Sequence, residues 1–195
     1  MASSGTSHRA ARRIPHLAEY AISSYPSRRA PRLREYDYAQ PGAYFVTLCV
    51  HDHSCLFGAI TSGAMHQSVT GAMAASIWEG LPDHYAGIEL DAWMLMPNHL
   101  HGIVVLLDPA PHAGALTLSQ LIGRYKSFTT HEYQRIGTGP TTDARPLWQR
   151  SFHERVIRNG RELDAVRAYI LNNPSKWQLD RDAASAAGEA RRSTS

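Results

Sequence analysis

Two apolar segments joined by a Pro-Asn dipeptide constrain the fold of this chain more than any other feature of its sequence. Residues 88–96 and 99–107 are both rich in aliphatic side chains and long enough to form a strand. Only Pro97 and Asn98 separate them, and such a pair is typical of a tight turn. The sequence therefore predicts a β-hairpin, and with it an antiparallel sheet.

The spacing of apolar residues predicts the other elements of the fold. Residues 43–51 and 147–158 have the β-branched and aromatic content of strands. Apolar residues at helical spacing predict a helix over residues 69–81, a second from Leu118 to about Gly137, and a third that Asn159 caps and Asn173-Pro174 ends. The order is β-α-β-β-α-β with one more helix, which predicts a ferredoxin-like α+β sandwich with an added C-terminal helix.

The two ends of the chain differ in composition from the segment between them. Residues 1–35 are rich in Arg, Ser and Pro and carry seven arginines, which predicts a flexible basic arm. Residues 178–195 are small, charged and Ala/Ser-rich and predict a flexible tail, which leaves one folded domain over residues 36–177. With two cysteines and no apolar run of eighteen residues, we expect a cytoplasmic protein without a membrane span.

The first candidate site is the pair His99 and His101, at the start of the second hairpin strand. Because side chains alternate along a strand, both imidazoles point to one face while Leu100 points to the other. Two imidazoles at this spacing can bind one divalent ion if a third ligand comes from elsewhere. The alternative is two histidines that bond only to solvent or backbone.

A second His-x-His pair competes with the first. His51 and His53 lie just past the first predicted strand, with Cys49 and Cys55 nearby, and could form a zinc site if the strand continued. Against this, their middle residue is Asp52 rather than an apolar anchor, and the segment runs into a polar loop.

Tyr169 and Asn173 form the second informative pair. They are four residues apart at the end of the third helix, so both project from one face. A tyrosine hydroxyl needs a polarised phosphate to act as a nucleophile, and a nearby amide oxygen could complete a His/His/amide metal shell. The alternative is an ordinary amphipathic residue followed by a helix end.

Several sequence blocks, taken together, resemble those of the REP-associated tyrosine transposases, a branch of the HUH single-strand insertion-sequence transposases. The resemblance runs from about residue 32 to residue 177. It is carried by RLREYDYAQPGAYFVTLCV (32–50), LFG (56–58), MLMPNHLHGIVVL (94–106), LSQLIGRYKSFTT (118–130), LWQRSFHERVIRN (147–159) and AYILNNPSKW (168–177).

The resemblance implies a role for each residue of the two pairs. His99 and His101 match the metal-binding histidines of the family, Tyr169 matches the catalytic tyrosine, and Asn173 matches the third ligand of Mg²⁺ or Mn²⁺. The tyrosine would attack single-stranded DNA at hairpin-flanked, REP-like repeats, form a 5′-phosphotyrosine and free a 3′ hydroxyl. Strand transfer would then reverse this step. Tyr125 and Tyr133 are rival nucleophiles, but neither has an amide four residues on.

DNA is the partner that this resemblance implies, in single-stranded and hairpin form. Arg124, Lys126 and Arg150 lie in matching blocks and are the expected DNA-binding residues. Trp148, Phe152 and Trp177 could stack on unpaired bases or pack in the core. A homodimer is possible, and relatives differ on whether the tyrosine serves its own histidine pair or a partner's.

Two other functions stay open at this point. The first is a domesticated, sequence-specific DNA-binding protein that has the same fold but no cleavage activity. The second is a zinc-dependent hydrolase, which would need an acidic general base beside the histidines. The segment MPNHLHG supplies no such base.

Overall fold

A computed structural model describes residues 40–107, 116–137 and 146–177. The predicted arm, residues 1–35, and the predicted tail, residues 178–195, lie outside the described residues. The elements, in chain order, are β1 (Gly42–Cys49), β2 (Gly58–Thr61), β3 (Ala64–Gln67), α1 (Val69–Glu79), α2 (Leu81–His84), β4 (Ile88–Met96), β5 (His99–Leu106), α3 (Leu118–Arg135), β6 (His153–Ile157) and α4 (Gly160–Leu171).

The main sheet has four strands in the order β4-β5-β1-β6, and every neighbouring pair is antiparallel. Because β1 lies between β5 and β6, the α1 and α3 connections make the crossovers of a ferredoxin-like sandwich. The predicted hairpin is present, with β4 and β5 joined at Pro97 and Asn98. The predicted α+β fold is confirmed.

The small β2–β3 hairpin was not predicted from the sequence. Each of its strands has four residues, and most of their side chains are exposed or half-buried. Such short strands carry no clear alternation of apolar and polar residues, so periodicity gave no signal for them. The hairpin is an insertion between β1 and α1 and leaves the order of the main elements unchanged.

Helices cover both faces of the main sheet. Alternation along β1 sends Tyr44, Val46 and Leu48 into a large core that includes residues of α1 and α3. The opposite face carries a smaller core, in which side chains of β1, β4, β5 and β6 meet α4 through Leu163, Val166 and Ile170. The sheet is therefore a middle layer, and α4 alone forms the third layer among the described elements.

Gly102 on β5 is required by close packing in the larger core. A Cβ atom at this position would lie 2.6 Å from Cζ2 of Trp78, which is closer than two carbon atoms can approach. The indole of Trp78 is fully buried. A substitution at position 102 would therefore displace α1 from the sheet.

The last strand and the last helix are shorter than the sequence indicated. The predicted strand over residues 147–158 is regular only in β6, while Trp148 pairs with Val50 through an isolated bridge. Helix α4 begins at the predicted cap, since the Asn159 side chain accepts from the Glu162 amide, and it ends one residue before Asn172. Residues 173–177 then form a separate helical segment, because a proline fits the first turn of a helix.

An ion pair between Arg167 and Asp91 fastens α4 to β4. Arg167 donates from Nε to one Asp91 carboxylate oxygen at 2.8 Å and from a terminal nitrogen to the other at 2.6 Å. The Asp91 side chain is fully buried, at an irregularity of β4 between Leu90 and Trp93. This two-pronged contact fixes the position of α4 along the sheet.

Candidate metal and nucleophile site

His99 and His101 lie at the start of β5, on the sheet face that α4 covers. Their Nε2 atoms are 3.1 Å apart and their ring centroids 4.5 Å apart. His101 is 5% exposed, so its imidazole is inside the protein. The two rings share one face of the strand, as their spacing predicts.

Each imidazole of this pair also has a partner on its Nδ1 atom. Nδ1 of His99 is 2.7 Å from Oδ1 of Asn98, and Nδ1 of His101 is 2.8 Å from Oγ1 of Thr47. Thr47 faces His101 directly across the β1–β5 ladder. The Nδ1 contacts leave both Nε2 atoms to face each other.

Burial makes both histidines hard to protonate. Desolvation, together with a smaller contribution from the charge of His53, lowers the pKa of His99 to about 4. Desolvation, assisted by His99, lowers the pKa of His101 to about 3. Both imidazoles are therefore neutral at neutral pH, which is the form that ligates a metal ion.

The distance between the two Nε2 atoms fits a single divalent ion. Two ligands on neighbouring vertices of an octahedron, each about 2.1 Å from the ion, lie roughly 3 Å apart. Within residues 40–107, 116–137 and 146–177, no group of three His, Cys, Asp or Glu side chains could hold a metal ion. If His99 and His101 bind an ion, a third protein ligand from the described residues would be of another chemical type.

Tyr169 lies against this histidine pair. Its ring centroid is 5.3 Å from that of His101 and 6.0 Å from that of Phe45, with which it packs edge to face. Tyr169 is 42% exposed, so part of it is accessible from solvent. The Nζ atom of Lys176 lies 5.5 Å from the centroid of the same ring.

Asn173 lies in the segment that crosses over the pair. It is 8% exposed and begins the helical segment 173–177. Tyr169, four residues before it, contacts His101, and Trp177, four residues after it, has its ring 5.7 Å from that of His99. Asn173 is therefore held between two residues that flank the histidines.

The rival tyrosines are in the opposite layer of the molecule. Tyr125 is 1% exposed and donates its hydroxyl to the Ala74 carbonyl at 3.1 Å. Burial raises the pKa of Tyr125 far above its ordinary value, which suppresses the nucleophilic phenolate. Tyr133 is buried in the same core. Of the three candidate tyrosines, Tyr169 is the one that the fold brings to the histidines.

The second His-x-His pair does not form a comparable cluster. His51 and His53 are both exposed, and the Cys55 side chain is exposed as well. His53 instead meets the side-chain amide of Gln149, with 2.8 Å between the two Nε2 atoms. In the part of the chain that the structure describes, which includes these residues, no three His, Cys, Asp or Glu side chains lie close enough to hold a metal ion.

The three expected DNA-binding residues have different surroundings. Arg150 is exposed and lines a groove of about 440 Å³ with residues of α3, among them Ser127, Thr130 and Gln134. Arg124 is exposed on α3, and its guanidinium lies 5.2 Å from the centroid of the Tyr85 ring.

Lys126 is half-buried and lines the same groove, but its ammonium is bound by backbone carbonyls. Its Nζ atom donates to the carbonyls of Gln149 and Ser151, each at 2.9 Å. Burial of the ammonium, only partly offset by Cys49, lowers the pKa of Lys126 to about 8. These contacts tie α3 to the segment that leads into β6.

The three aromatic residues that were expected to stack on bases or pack in the core also differ in their exposure. Trp148 is 3% exposed and donates from Nε1 to the Thr129 hydroxyl at 2.7 Å, so it packs in the core and cannot stack on a base. Phe152 and Trp177 are half-buried.

Sequence reasoning missed Thr47 and Asn98 as members of the site. Asn98 is visible in the sequence as the neighbour of His99, but an asparagine after a proline is also typical of a turn. Thr47 lies 54 positions before His101, and only the register of β1 against β5 brings the two together. The sequence does not reveal that register, so it gave no signal for Thr47.

Comparisons with known proteins find similarity both in sequence and among solved structures. An uncharacterised protein of Haemophilus influenzae is 33% identical over 164 residues, which cover 78% of this chain and 91% of that protein. A solved REP-associated tyrosine transposase bound to a REP hairpin matches with a TM-score of 0.51 and 23% identity, over 80% of this chain and 74% of that chain.

A putative transposase from Deinococcus radiodurans matches with a TM-score of 0.41 and 16% identity, over 73% of this chain and 97% of that chain. No family model matches the sequence. None of the helices within the described residues has the length and apolar character needed to cross a membrane.

Proposed function

This chain belongs to one family with the Haemophilus influenzae protein and has the fold of a REP-associated tyrosine transposase, and on that premise we propose that it is a transposase that cleaves and rejoins single-stranded DNA. Its target would be a hairpin-flanked, REP-like repeat, since the solved transposase of this fold binds a REP hairpin. The single observation that carries the proposal is the contact between Tyr169 and the histidine pair, at 5.3 Å between the rings of Tyr169 and His101.

In this function Tyr169 is the nucleophile. Its hydroxyl oxygen attacks the phosphorus of a phosphodiester, a tyrosyl O–P bond forms to the 5′ phosphate, and the bond from phosphorus to the 3′ oxygen breaks. Tyr169 loses its proton and the released 3′ oxygen takes one up, so the step neither consumes nor releases a proton overall. A 3′ hydroxyl of another strand reverses the reaction and joins the strands without water or ATP.

His99 and His101 are the proposed ligands of Mg²⁺ or Mn²⁺, with Asn173 as the third protein ligand. Bound there, the ion would withdraw charge from the non-bridging phosphate oxygens. The protein's own part is to keep both imidazoles neutral by burial and to hold the phenol beside them, so that a bound phosphate meets the hydroxyl in line.

Arg150 and Arg124 are the proposed DNA contacts. Arg150 lines a groove in which we find hydroxyl and amide side chains but no carboxylate among the lining residues, and this composition suits a phosphodiester backbone. Lys126, by contrast, donates to two backbone carbonyls. We propose for it an indirect role, in which it holds the segment that carries Arg150 in place.

Covalent trapping on a denaturing gel tests this function. The protein, Mg²⁺ or Mn²⁺ and an end-labelled single strand with a hairpin should give a protein–DNA adduct that is lost when EDTA is added. Tyr169→Phe should abolish the adduct and keep hairpin binding, because the change removes only the hydroxyl and keeps the ring. The matched control is Tyr133→Phe, which should still give adduct.

Adduct from Tyr169→Phe together with none from Tyr133→Phe would show that the nucleophile is on α3. Hairpin binding without adduct from the unaltered protein would favour the alternative function of a DNA-binding protein that does not cleave.

A further inference from the structure

Four side chains and one carbonyl form a continuous hydrogen-bonded chain through the site. The side chains are Thr47, His101, His99 and Asn98, and the carbonyl is that of His53. The successive distances are 2.8, 3.1, 2.7 and 3.0 Å. The donor and the acceptor of each hydrogen bond in this series follow from the two groups at its ends.

The orientation of the Asn98 amide fixes the tautomer of His99. The Nδ2 group of Asn98 donates to the His53 carbonyl at 3.0 Å, so its Oδ1 atom must be the one that faces His99. An amide oxygen only accepts hydrogen bonds. His99 therefore carries its proton on Nδ1, and its Nε2 atom presents a lone pair toward His101.

That assignment determines the proton of His101 in the metal-free protein. A neutral imidazole carries one ring proton and leaves its other nitrogen bare. Two bare Nε2 lone pairs 3.1 Å apart would repel each other. His101 must then carry its proton on Nε2 and donate it to His99, and its bare Nδ1 accepts from the Thr47 hydroxyl.

A divalent ion between the two Nε2 atoms requires a different arrangement. Both Nε2 atoms must then offer lone pairs, so the proton of His101 has to move from Nε2 to Nδ1. A threonine hydroxyl can accept as well as donate, so Thr47 can reverse its hydrogen bond without moving. His99 needs no change, and the number of protons on the pair stays the same.

We propose that Asn98 and Thr47 are positioning residues that set the tautomers of the histidine pair: Asn98 holds His99 permanently in the ligand form, and Thr47 lets His101 exchange one tautomer for the other when a divalent ion binds. This inference rests on the proposed function only in assigning an ion to the pair. Its direct readout is the proton position on each ring, measured without DNA.

The metal-free protein tests the first half of the inference. With ¹⁵N-labelled histidine, long-range proton–nitrogen correlation spectra distinguish protonated from bare ring nitrogens. We expect His99 to show a protonated Nδ1 and His101 a protonated Nε2. Asn98→Ala should turn His99 into a mixture of tautomers, whereas Asn98→Asp, which keeps the acceptor, should preserve the single form. A proton on Nε2 of His99 in the unaltered protein would overturn the inference.

Titration with Mn²⁺ tests the second half, with bound ion measured by electron paramagnetic resonance. Thr47→Val keeps the shape of the side chain but leaves a protonated Nδ1 of His101 without an acceptor, so we expect Mn²⁺ affinity to fall on the order of 10-fold. Thr47→Ser restores the hydroxyl and should bind Mn²⁺ as the unaltered protein does. Equal affinity in the Val and unaltered proteins would contradict the role of Thr47, provided that both melt at the same temperature.

These experiments separate the inference from the proposed function. If the tautomers and Mn²⁺ affinities behave as expected but no covalent adduct forms, the histidine pair is organised for a metal and the cleavage function is wrong. If adduct forms but His99 is protonated on Nε2, the cleavage function stands and the positioning roles of Asn98 and Thr47 are wrong.

Discussion

Two pairs of histidines with the same spacing have opposite surroundings in this protein. His51 and His53 follow β1 in a segment where both are exposed to solvent. His99 and His101 begin a strand that runs into the interior, and the layer formed by α4 shields them from water. Spacing allows a chelate in both cases, but only His99 and His101 are held by burial and by contacts to their Nδ1 atoms in one orientation.

The depressed pKa values predict how stability depends on pH. In the unfolded chain each imidazole takes up a proton below about pH 6.5, whereas in the folded protein His99 stays neutral to about pH 4 and His101 to about pH 3. The free energy of unfolding should therefore be undiminished above pH 6.5 and fall as the pH drops toward 4. Each histidine contributes up to about 3 kcal/mol over that interval.

Urea unfolding of the unaltered protein and of His101→Gln between pH 7.5 and pH 4 measures this effect. Because glutamine does not titrate, the variant should show a shallower loss of stability on acidification. The control is His131→Ala, which removes an exposed histidine and should keep the full slope. Parallel curves for His101→Gln and the unaltered protein would contradict the assignment.

At the scale of elements, α4 and the segment after it determine whether there is a site at all. The helix carries Tyr169, and the break after Leu171 turns residues 173–177 across the histidine pair. Its apolar side is short, with Leu163, Val166 and Ile170 as its buried residues. The ion pair between Arg167 and Asp91 adds a directional contact that apolar packing does not provide.

Removal of Arg167 should be costly to the fold. Arg167→Ala leaves the fully buried carboxylate of Asp91 without its partner, and we expect the free energy of unfolding to fall by about 3–5 kcal/mol. Chemical denaturation measures the loss. The matched control is Arg161→Ala, an exposed position on the same helix, which should change stability by no more than about 0.5 kcal/mol.

Restoring charge balance would identify the cause of that loss. The double variant Asp91→Leu with Arg167→Met removes both charges together, so it should be more stable than Arg167→Ala. If Arg167→Ala were as stable as Arg161→Ala, the ion pair would not hold α4 to the sheet.

At the scale of the whole molecule, the sheet separates the larger core from the face that carries the candidate site. The layer of α1 and α3 contains the large aromatic residues, including Trp78, Tyr125 and Trp148. The other layer brings Tyr169 to the histidines of its own chain. If the proposed function is right, we expect Tyr169 to act with the histidines of its own chain rather than with those of a second copy.

Mixing two inactive variants tests this. Tyr169→Phe keeps the histidine pair and His101→Ala keeps the tyrosine, so a mixture regains activity only if the tyrosine of one copy acts at the histidines of another. We expect no covalent adduct from the mixture, measured against a dilution series of the unaltered protein. Adduct at more than a few per cent of the unaltered level would mean that the helices are exchanged.

Local patterns in the sequence were sufficient for most of the main elements. The Pro-Asn turn, the apolar periodicity of α3 and the Asn159 cap depend on neighbours a few positions away, so they could be predicted without a fold. The β2–β3 hairpin and the short length of β6 could not. Their strands are too short or too exposed for periodicity to mark them.

The sequence by itself determined which residues could do chemistry, namely the His-x-His spacing and the tyrosine with an amide four residues on. Only the tertiary structure decided among them. Tyr125 and Tyr169 are the same residue type on similar amphipathic helices, but one helix packs in the large core and the other on the opposite face. Register set Thr47 beside His101. Both outcomes depend on pairing between segments distant in the chain, and such pairing is fixed by how the whole apolar surface is buried.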